Sequence, residues 1–369
     1  MKFSCEKLLL QSAVATASRA VAAKSTIPAL EGVLLQTGSQ LTVSGYNMQT
    51  GIRTTLEADI TEEGALVLPA RLFGEIIRRL PDDIVTFASD KGMNVRLTCG
   101  DAAYNITALS AEDYPELPEV EDQYSLRIQQ QTLRSMIGET SFAVSADEAR
   151  PIHTGSLFEI SEEGLTVVSV DGFRLALRHE PLEGIKGGSF HFVAPGTALN
   201  EVEKICSDTE EEAVITLGNR HLLFEVGNTQ LICRRLEGEF LDYRAAIPRS
   251  NPITITASAK ALMNSIDRVS VVISEKQKSP VQCVIGTGKV SMSAKTVTGE
   301  ASDVCAIDGD GGGLTIGFNN RYLMEALKYA PADEVRLELN TGISPCVILP
   351  AEGEERFLYM VLPVRLKNN

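Results

Sequence analysis

The chain has 369 residues, 44% hydrophobic and 22% charged, which excludes a disordered polymer and points to two or three globular domains of ~100–200 residues. No apolar run reaches the ~18–20 residues of a spanning helix, so no membrane partner is expected. Seven scattered cysteines without a Cys-x-x-Cys pair exclude a disulfide framework and fit a reducing cytoplasm, and the net charge of −15 disfavours nucleic acid if it is evenly spread.

The start, Met1-Lys2-Phe3-Ser4-Cys5-Glu6-Lys7, is charged where a signal peptide would be apolar, so it is read as mature structure. In chain order, an amphipathic helix is expected over 6–22 and a strand over 41–44. A strand at 66–68 then runs through Pro69-Ala70-Arg71 into a helix carrying Glu75 and Arg78, and a strand at 83–87 follows. Asp113-Tyr114-Pro115-Glu116-Leu117-Pro118 closes the unit.

The order restarts with a helix over 131–144 and a strand over 165–170. A two-residue hairpin turn at Asp171-Gly172 leads into 173–177. A strand at 190–193 then enters a helix with Glu201 and Lys204, followed by a strand at 213–217 and the exit Asp242-Tyr243-Arg244-Ala245-Ala246-Ile247-Pro248. A third pass has a helix over 259–272, a strand over 289–294 and a glycine-rich stretch, 309–313, expected as a flexible hairpin loop. It ends with a strand at 314–316, a helix with Glu325 and Lys328, and a strand over 334–339.

Glu75, Glu201 and Glu325 are 126 and 124 residues apart, each followed by a base at i+3, and the two exit motifs are 129 apart. One order at one period means three diverged copies of one α+β domain, each with two helices packed on antiparallel sheets. Boundaries are expected at 1–122, 123–250 and 251–369, near acidic or Pro/Asn-containing linkers. Repeats pairing edge to edge remove free sheet edges most economically by closing a ring.

The sequence carries no recognisable catalytic motif. There is no phosphate-binding Gly-x-x-x-x-Gly-Lys-Ser/Thr loop, no Gly-x-Gly-x-x-Gly after a strand, no Gly-x-Ser-x-Gly elbow, and no metal-ligand spacing around the four histidines. Acidic runs such as 210–212 and 352–355 read as solvated loops. No cofactor, metal or catalytic residue is expected. Charge, however, is uneven: the six expected helices carry a net +5, leaving −20 on the rest of the chain. A weakly basic face of helices suits sequence-independent phosphate contact that slides without gripping.

At this point the residues resemble a known family, the bacterial sliding clamp or β subunit of DNA polymerase III. Val170-Asp171-Gly172-Phe173-Arg174-Leu175, Asp242-Tyr243-Arg244, Pro69-Ala70-Arg71, Gly317-Phe318-Asn319 and Leu362-Pro363-Val364-Arg365-Leu366 carry the likeness, which spans the whole chain. The resemblance implies three DNA-clamp domains forming half of a closed six-domain ring, as a homodimer around double-stranded DNA in the cytoplasm. It further implies that the replicative polymerase, the clamp loader and repair proteins dock short linear motifs in a hydrophobic groove.

Carried over, that groove is His153, Val170, Gly172, Phe173, Arg174 and Leu175 with Leu241, then Asn319, Tyr322, Ile343, Pro345, Met360, Leu362, Pro363, Val364 and Arg365. His153 and Lys278 depart from the family's aliphatic and aromatic residues there, and Lys367-Asn368-Asn369 extends past the usual end. DNA-facing candidates are Lys24, Arg71, Arg78, Arg79, Arg134, Lys204, Arg268, Arg321 and Lys328. The ring joint is expected to set Tyr104 and Ile106 against Val272 and Ile273 of the partner chain. The alternative is a β-rich repeat scaffold that binds protein only and encircles no DNA; an enzyme with an unrecognised site is a distant third.

Overall fold

The computed structural model describes residues 1–121, 123–182, 188–274 and 279–366; Lys278 and the tail at 367–369 lie outside the described residues. Seven α-helices occur among them: α1 (Lys7–Ser18), α2 (Ala70–Arg79), α3 (Gln130–Ser141), α4 (Gly196–Ile205), the four-residue α5 (Tyr243–Ala246), α6 (Ala259–Ser270) and α7 (Asn320–Lys328). Six of these are the expected repeat helices, and α5 is the unforeseen turn of the second exit motif.

Local sequence explains where each begins and which way it faces. On α2, Ala70, Phe73, Ile76 and Ile77 are buried at helical spacing, while Arg71, Arg78 and Arg79 point outward. Ser258 caps α6 by accepting from the Ala261 amide, and Asn319 caps α7 by accepting from the amides of Arg321 and Tyr322. The first helix is shorter than expected and stops at Ser18, so Lys24 sits in the irregular segment beyond it.

Every strand pairing among the described residues is antiparallel, and the chain forms two compact units. Unit 1 comprises Met1–Arg134 with Thr197–Arg235. It holds a five-stranded sheet ordered Asp59–Glu62, Lys2–Glu6, Ile84–Ser89, Asn94–Cys99, Ala102–Thr107, in which Ala102–Thr107 is an edge strand. Its nine-stranded sheet runs from Leu109–Ser110 to Tyr124–Gln129, and Thr50–Leu56 of the first repeat pairs there with Thr229–Arg234 of the second. Phe3, Val14, Phe73 and Phe87 centre the core of the first repeat.

Unit 2 comprises Ser135–Gly196 with Leu236–Asn369. Its ten-stranded sheet joins the second and third repeats through Arg174–Glu180 and Phe357–Val361. Leu262, Ile266, Phe318, Leu327 and Tyr359 are central in the core of its third repeat. Sheets shared by neighbouring repeats explain why compactness follows the sheets and cuts α3 and α4, whereas the sequence period marks one repeat at a time.

Two local expectations are corrected. The glycine-rich stretch 309–313 is no hairpin loop but lies within the strand Glu300–Phe318, opposite register shifts in Val281–Lys295. Glycine serves there because Gly309, Gly312 and Gly313 have φ of 117°, 59° and 80°, and a Cβ on Gly311 would come within 2.3 Å of Ile285. The second hairpin turns one residue later than expected, at Gly172-Phe173, because Val170 pairs with Leu175 and the Asp171 amide donates to the Arg174 carbonyl.

Candidate functional site

The Gly172-Phe173 turn lifts Phe173 out of the strand and onto the tip, 58% exposed. Gly172 supplies the φ of 87° that a tight hairpin needs at its first central position. Asp171 steadies the turn by accepting from the amides of Phe173 and Arg174 at 2.9 and 3.0 Å. Beside this tip lies an apolar cluster built on neighbouring strands of the ten-stranded sheet. Val170, Leu175 and Met360 are buried in it, with Leu177 and Leu362 half-buried against it.

The connector after residue 235 covers the cluster from one side. Leu236, Phe240, Tyr243, Ala246 and Ile247 pack on it, as does Ile152. Tyr243 is 3% exposed, and its hydroxyl donates to the Glu159 carboxylate, which also accepts from Arg244 at 2.8 Å. The opposite wall is the C-terminal strand and the segment after it: the Leu362 amide donates to Phe173 O and the Val364 amide to Gly317 O. A Cβ on Gly317 would meet Val364 O at 2.8 Å, so only glycine lets this segment lie flat. That close approach joins the motifs Gly317-Phe318-Asn319 and Leu362-Pro363-Val364-Arg365-Leu366 into one surface.

Arg174 is the structural centre of the wall. It is buried, its Nε bonds the Asp171 carboxylate at 3.0 Å, and its terminal nitrogens reach Glu325 and the Phe142 carbonyl. Its guanidinium lies 4.6 Å from the Tyr322 ring centroid and 5.3 Å from that of Phe142. Tyr322 in turn stacks on Phe173 with centroids 5.9 Å apart. The third Glu/Lys pair of the repeat is therefore not made: Glu325 goes to Arg174, and Lys328 lies over the Tyr329 ring. Glu75–Arg78 and Glu201–Lys204 do form, at 2.9 and 2.8 Å.

The cluster gathers Val170, Gly172, Phe173, Arg174, Leu175, Tyr322, Met360 and Leu362 into one surface, with Pro363 and Val364 continuing the wall. Other expected groove residues have different placements. Asn319 is spent as the α7 cap. Ile343 (73% exposed) and Pro345 lie on the turn before Cys346–Pro350; Leu241 and Arg365 are exposed. Ile152, Leu177, Phe240, Ala246 and Ile247 were missed. Alternation along Arg174–Glu180 pointed to Leu177, and the second exit motif contained Ala246 and Ile247.

His153 sits at the edge of the cluster, its ring edge-on to Phe240 at 5.4 Å. Burial and, second, the neighbouring Arg150 hold its pKa below the ordinary histidine value. The folded state thus binds fewer protons than the unfolded one, and this contribution to stability is lost as pH falls from about 6.5 through the folded value. An imidazole NMR titration should give a midpoint below 6.5 for His153; a midpoint at or above it would contradict this environment.

All nine basic candidates are exposed. Among the described residues no carboxylate lies within ion-pair distance of Lys24, Arg71, Arg134, Arg321 or Lys328. Arg78 and Arg79 share Glu75, Lys204 pairs with Glu201, and Arg268 bonds Asp303 at 2.8 Å. Lys7, counted in the helix charge, is buried and paired with Asp82 at 2.8 Å, so it adds nothing to an exposed basic surface.

The four joint candidates differ in exposure. Ile106 is only 7% exposed and belongs to its own core; Tyr104 is half-buried against that core. Val272 and Ile273 are half-buried, whereas Val271 is 83% exposed. The Val272 carbonyl accepts from Thr296 at 3.0 Å, which fixes the turn bearing Val297, 88% exposed, to the same end of α6. All seven cysteines are buried free thiols; burial pushes Cys5, Cys206, Cys233 and Cys283 up to about 12, which leaves them protonated at neutral pH. No helix among the described residues is long and apolar enough to cross a membrane.

Three family models match the chain in order: the DNA polymerase III beta subunit N-terminal domain over residues 1–118, central domain over 127–242 and C-terminal domain over 244–365. The beta sliding clamp of Staphylococcus aureus is 30% identical over 358 residues, covering 94% of each chain. Among solved structures, the DNA polymerase sliding clamp from Bacillus subtilis superposes with a TM-score of 0.94 at 28% identity, covering 100% of both chains. The beta subunit from the DNA polymerase of Streptococcus pyogenes gives 0.94 at 27%, covering 99% of this chain and 100% of that one.

Proposed function

Since this chain belongs to the DNA polymerase III beta subunit family, the bacterial sliding clamps, we propose that it is the processivity factor of a replicative DNA polymerase. Two copies close into a ring of six clamp domains around duplex DNA in the cytoplasm. The ring tethers the polymerase, the clamp loader and repair proteins by their short peptide motifs, and it has no catalysis of its own. The observation that carries this reading is the end-to-end likeness of all three repeats to clamps.

The groove in unit 2 supports the tethering role. An apolar floor of Val170, Leu175 and Met360 accepts a peptide's aliphatic or aromatic anchors, and Phe173 at the tip is exposed to close over them. Each well-buried anchor contributes about 1.5–3 kcal/mol. Weak contacts from Lys24, Arg71, Arg134, Arg321 and Lys328 hold phosphates without reading sequence. Retention then comes from topology, and exposed cations suffice because no tight grip is required.

The test is to load the protein on a nicked DNA circle and then linearise it. It should remain on the circle and run off the linear form. Equal retention on both would sink the encirclement and favour the protein-only scaffold.

A further inference from the structure

In unit 1 the segment 111–120, the first exit motif, crosses one face of the nine-stranded sheet. Tyr114 and Leu117 fasten it: both are buried, the Tyr114 hydroxyl donates to Ser44 O at 3.4 Å, and Leu117 packs on Gly51, where a Cβ would come within 2.9 Å of it. Beside the segment a cleft of about 1080 Å³ remains. Leu34, Leu223 and Ile232 make its apolar wall; Gln36, Arg53 and Gln230 are its polar groups. This is roughly the upper end of the ~300–1,000 Å³ of ligand sites.

Arg53 is the unusual member. On the strand Thr50–Leu56 it is paired in register with Ser44 on one side and Gln230 on the other. Its Nε is buried and finds no acceptor, and no carboxylate is within ion-pair distance of its guanidinium among the described residues. The adjacent Ser44 hydroxyl is also buried without a partner. Gln230 gives no help, since its amide donates to Glu225 at 3.1 Å. Arg53 as a whole is half-buried and lines the cleft, so its charge is open to an occupant while the buried Nε–H lacks the acceptor that would relieve its cost.

The repeat sharpens the comparison. Tyr114 is the counterpart of Tyr243, which borders the apolar groove of unit 2. There the nearby cation, Arg244, is matched by Glu159; in unit 1 Arg53 has no such carboxylate. Exposed Glu112, Glu116 and Glu119 rim the cleft and disfavour a polyanion such as nucleic acid far more than a segment with a single carboxylate placed at Arg53. We propose that this cleft is a second peptide site, taking an extended segment in which one carboxylate side chain, set between aliphatic neighbours, pairs with Arg53. The proposal is independent of whether the chain encircles DNA.

The test uses the full chain and two peptides carrying fluorescein at the N-terminus, Ala-Leu-Glu-Leu-Ala amide and its Gln analogue, read by anisotropy. The acidic peptide should bind saturably and at least tenfold more tightly than the Gln analogue. Arg53→Gln should abolish that preference. Gln230→Glu, which places a carboxylate across from Arg53, should do the same while a cooperative melting transition is retained, separating site loss from unfolding. The double variant Phe173→Ala, Leu362→Ala, which disables the groove of unit 2, should keep the preference for the acidic peptide. No binding, equal affinity for the two peptides, an unaltered preference in both single variants, or loss of the preference in the double variant would each overturn the proposal.

Discussion

Arg174→Ala should lower the stability of unit 2 by about 3 kcal/mol and remove peptide binding at its groove, although the residue is almost out of a ligand's reach. The guanidinium holds Asp171 at the hairpin, Glu325 on α7 and the Phe142 carbonyl beyond α3, while its faces rest on Tyr322 and Phe142. Removal strands a carboxylate that is nearly buried, and breaking such buried pairs costs about 3–5 kcal/mol. The lower figure applies because the Glu325 side chain is 32% exposed and can turn to water. Arg174→Lys retains the charge but not the fork or the planar stacking, so it should recover only part of the loss. Urea unfolding and peptide anisotropy on the same samples are decisive: a change under about 0.5 kcal/mol, the range of ordinary surface substitutions, would mean that the wall stands without Arg174.

The second large effect concerns assembly. Val271→Asp with Val297→Asp should convert the proposed dimer to single chains, read as a halved mass in sedimentation equilibrium. Both valines are exposed at one end of α6, and the hydrogen bond from Thr296 to the Val272 carbonyl keeps them there. The proposed opposite surface is the edge strand Ala102–Thr107, whose buried side chains serve its own core and whose free edge offers backbone groups. Two desolvated carboxylates against such an edge cost far more than the lost apolar contact. The milder pair Val272→Ala and Ile273→Ala also trims packing against the third-repeat core, so it reports less cleanly on the joint. An unchanged mass for the aspartate variant would show that the joint lies elsewhere.

Much of the candidate groove was legible because its residues cluster in sequence as well as in space. Val170 to Leu175 is one hairpin and Met360 to Val364 one strand end. What was not legible was the division of labour inside those runs. Arg174 and Asn319 were both expected in the groove; Arg174 is a buried strut and Asn319 also caps α7. Both roles depend on partners far along the chain, such as Glu325 at 151 residues from Arg174, which spacing within a motif does not reveal. Ala246 and Ile247 were overlooked for the opposite reason: small or ordinary apolar residues carry no signal until the sheet they cover is known.

By itself the sequence determined the three-fold repeat, six helices with their apolar faces, and the edge-to-edge pairing that repeats require. The helices follow from local periodicity, which each segment expresses without its neighbours, and the pairing follows from the repeat. Only the tertiary structure decided that 309–313 is a bend inside a long strand, that the turn falls on Gly172-Phe173 and exposes the ring, and that Glu325 leaves its helix partner for Arg174. It also decided that the Nε of half-buried Arg53 is left without an acceptor. Each of these turns on register, or on a side chain's distant partner. Shifting a strand by one residue, or bringing one more carboxylate within reach, changes which groups are buried and which are matched while leaving the local pattern intact.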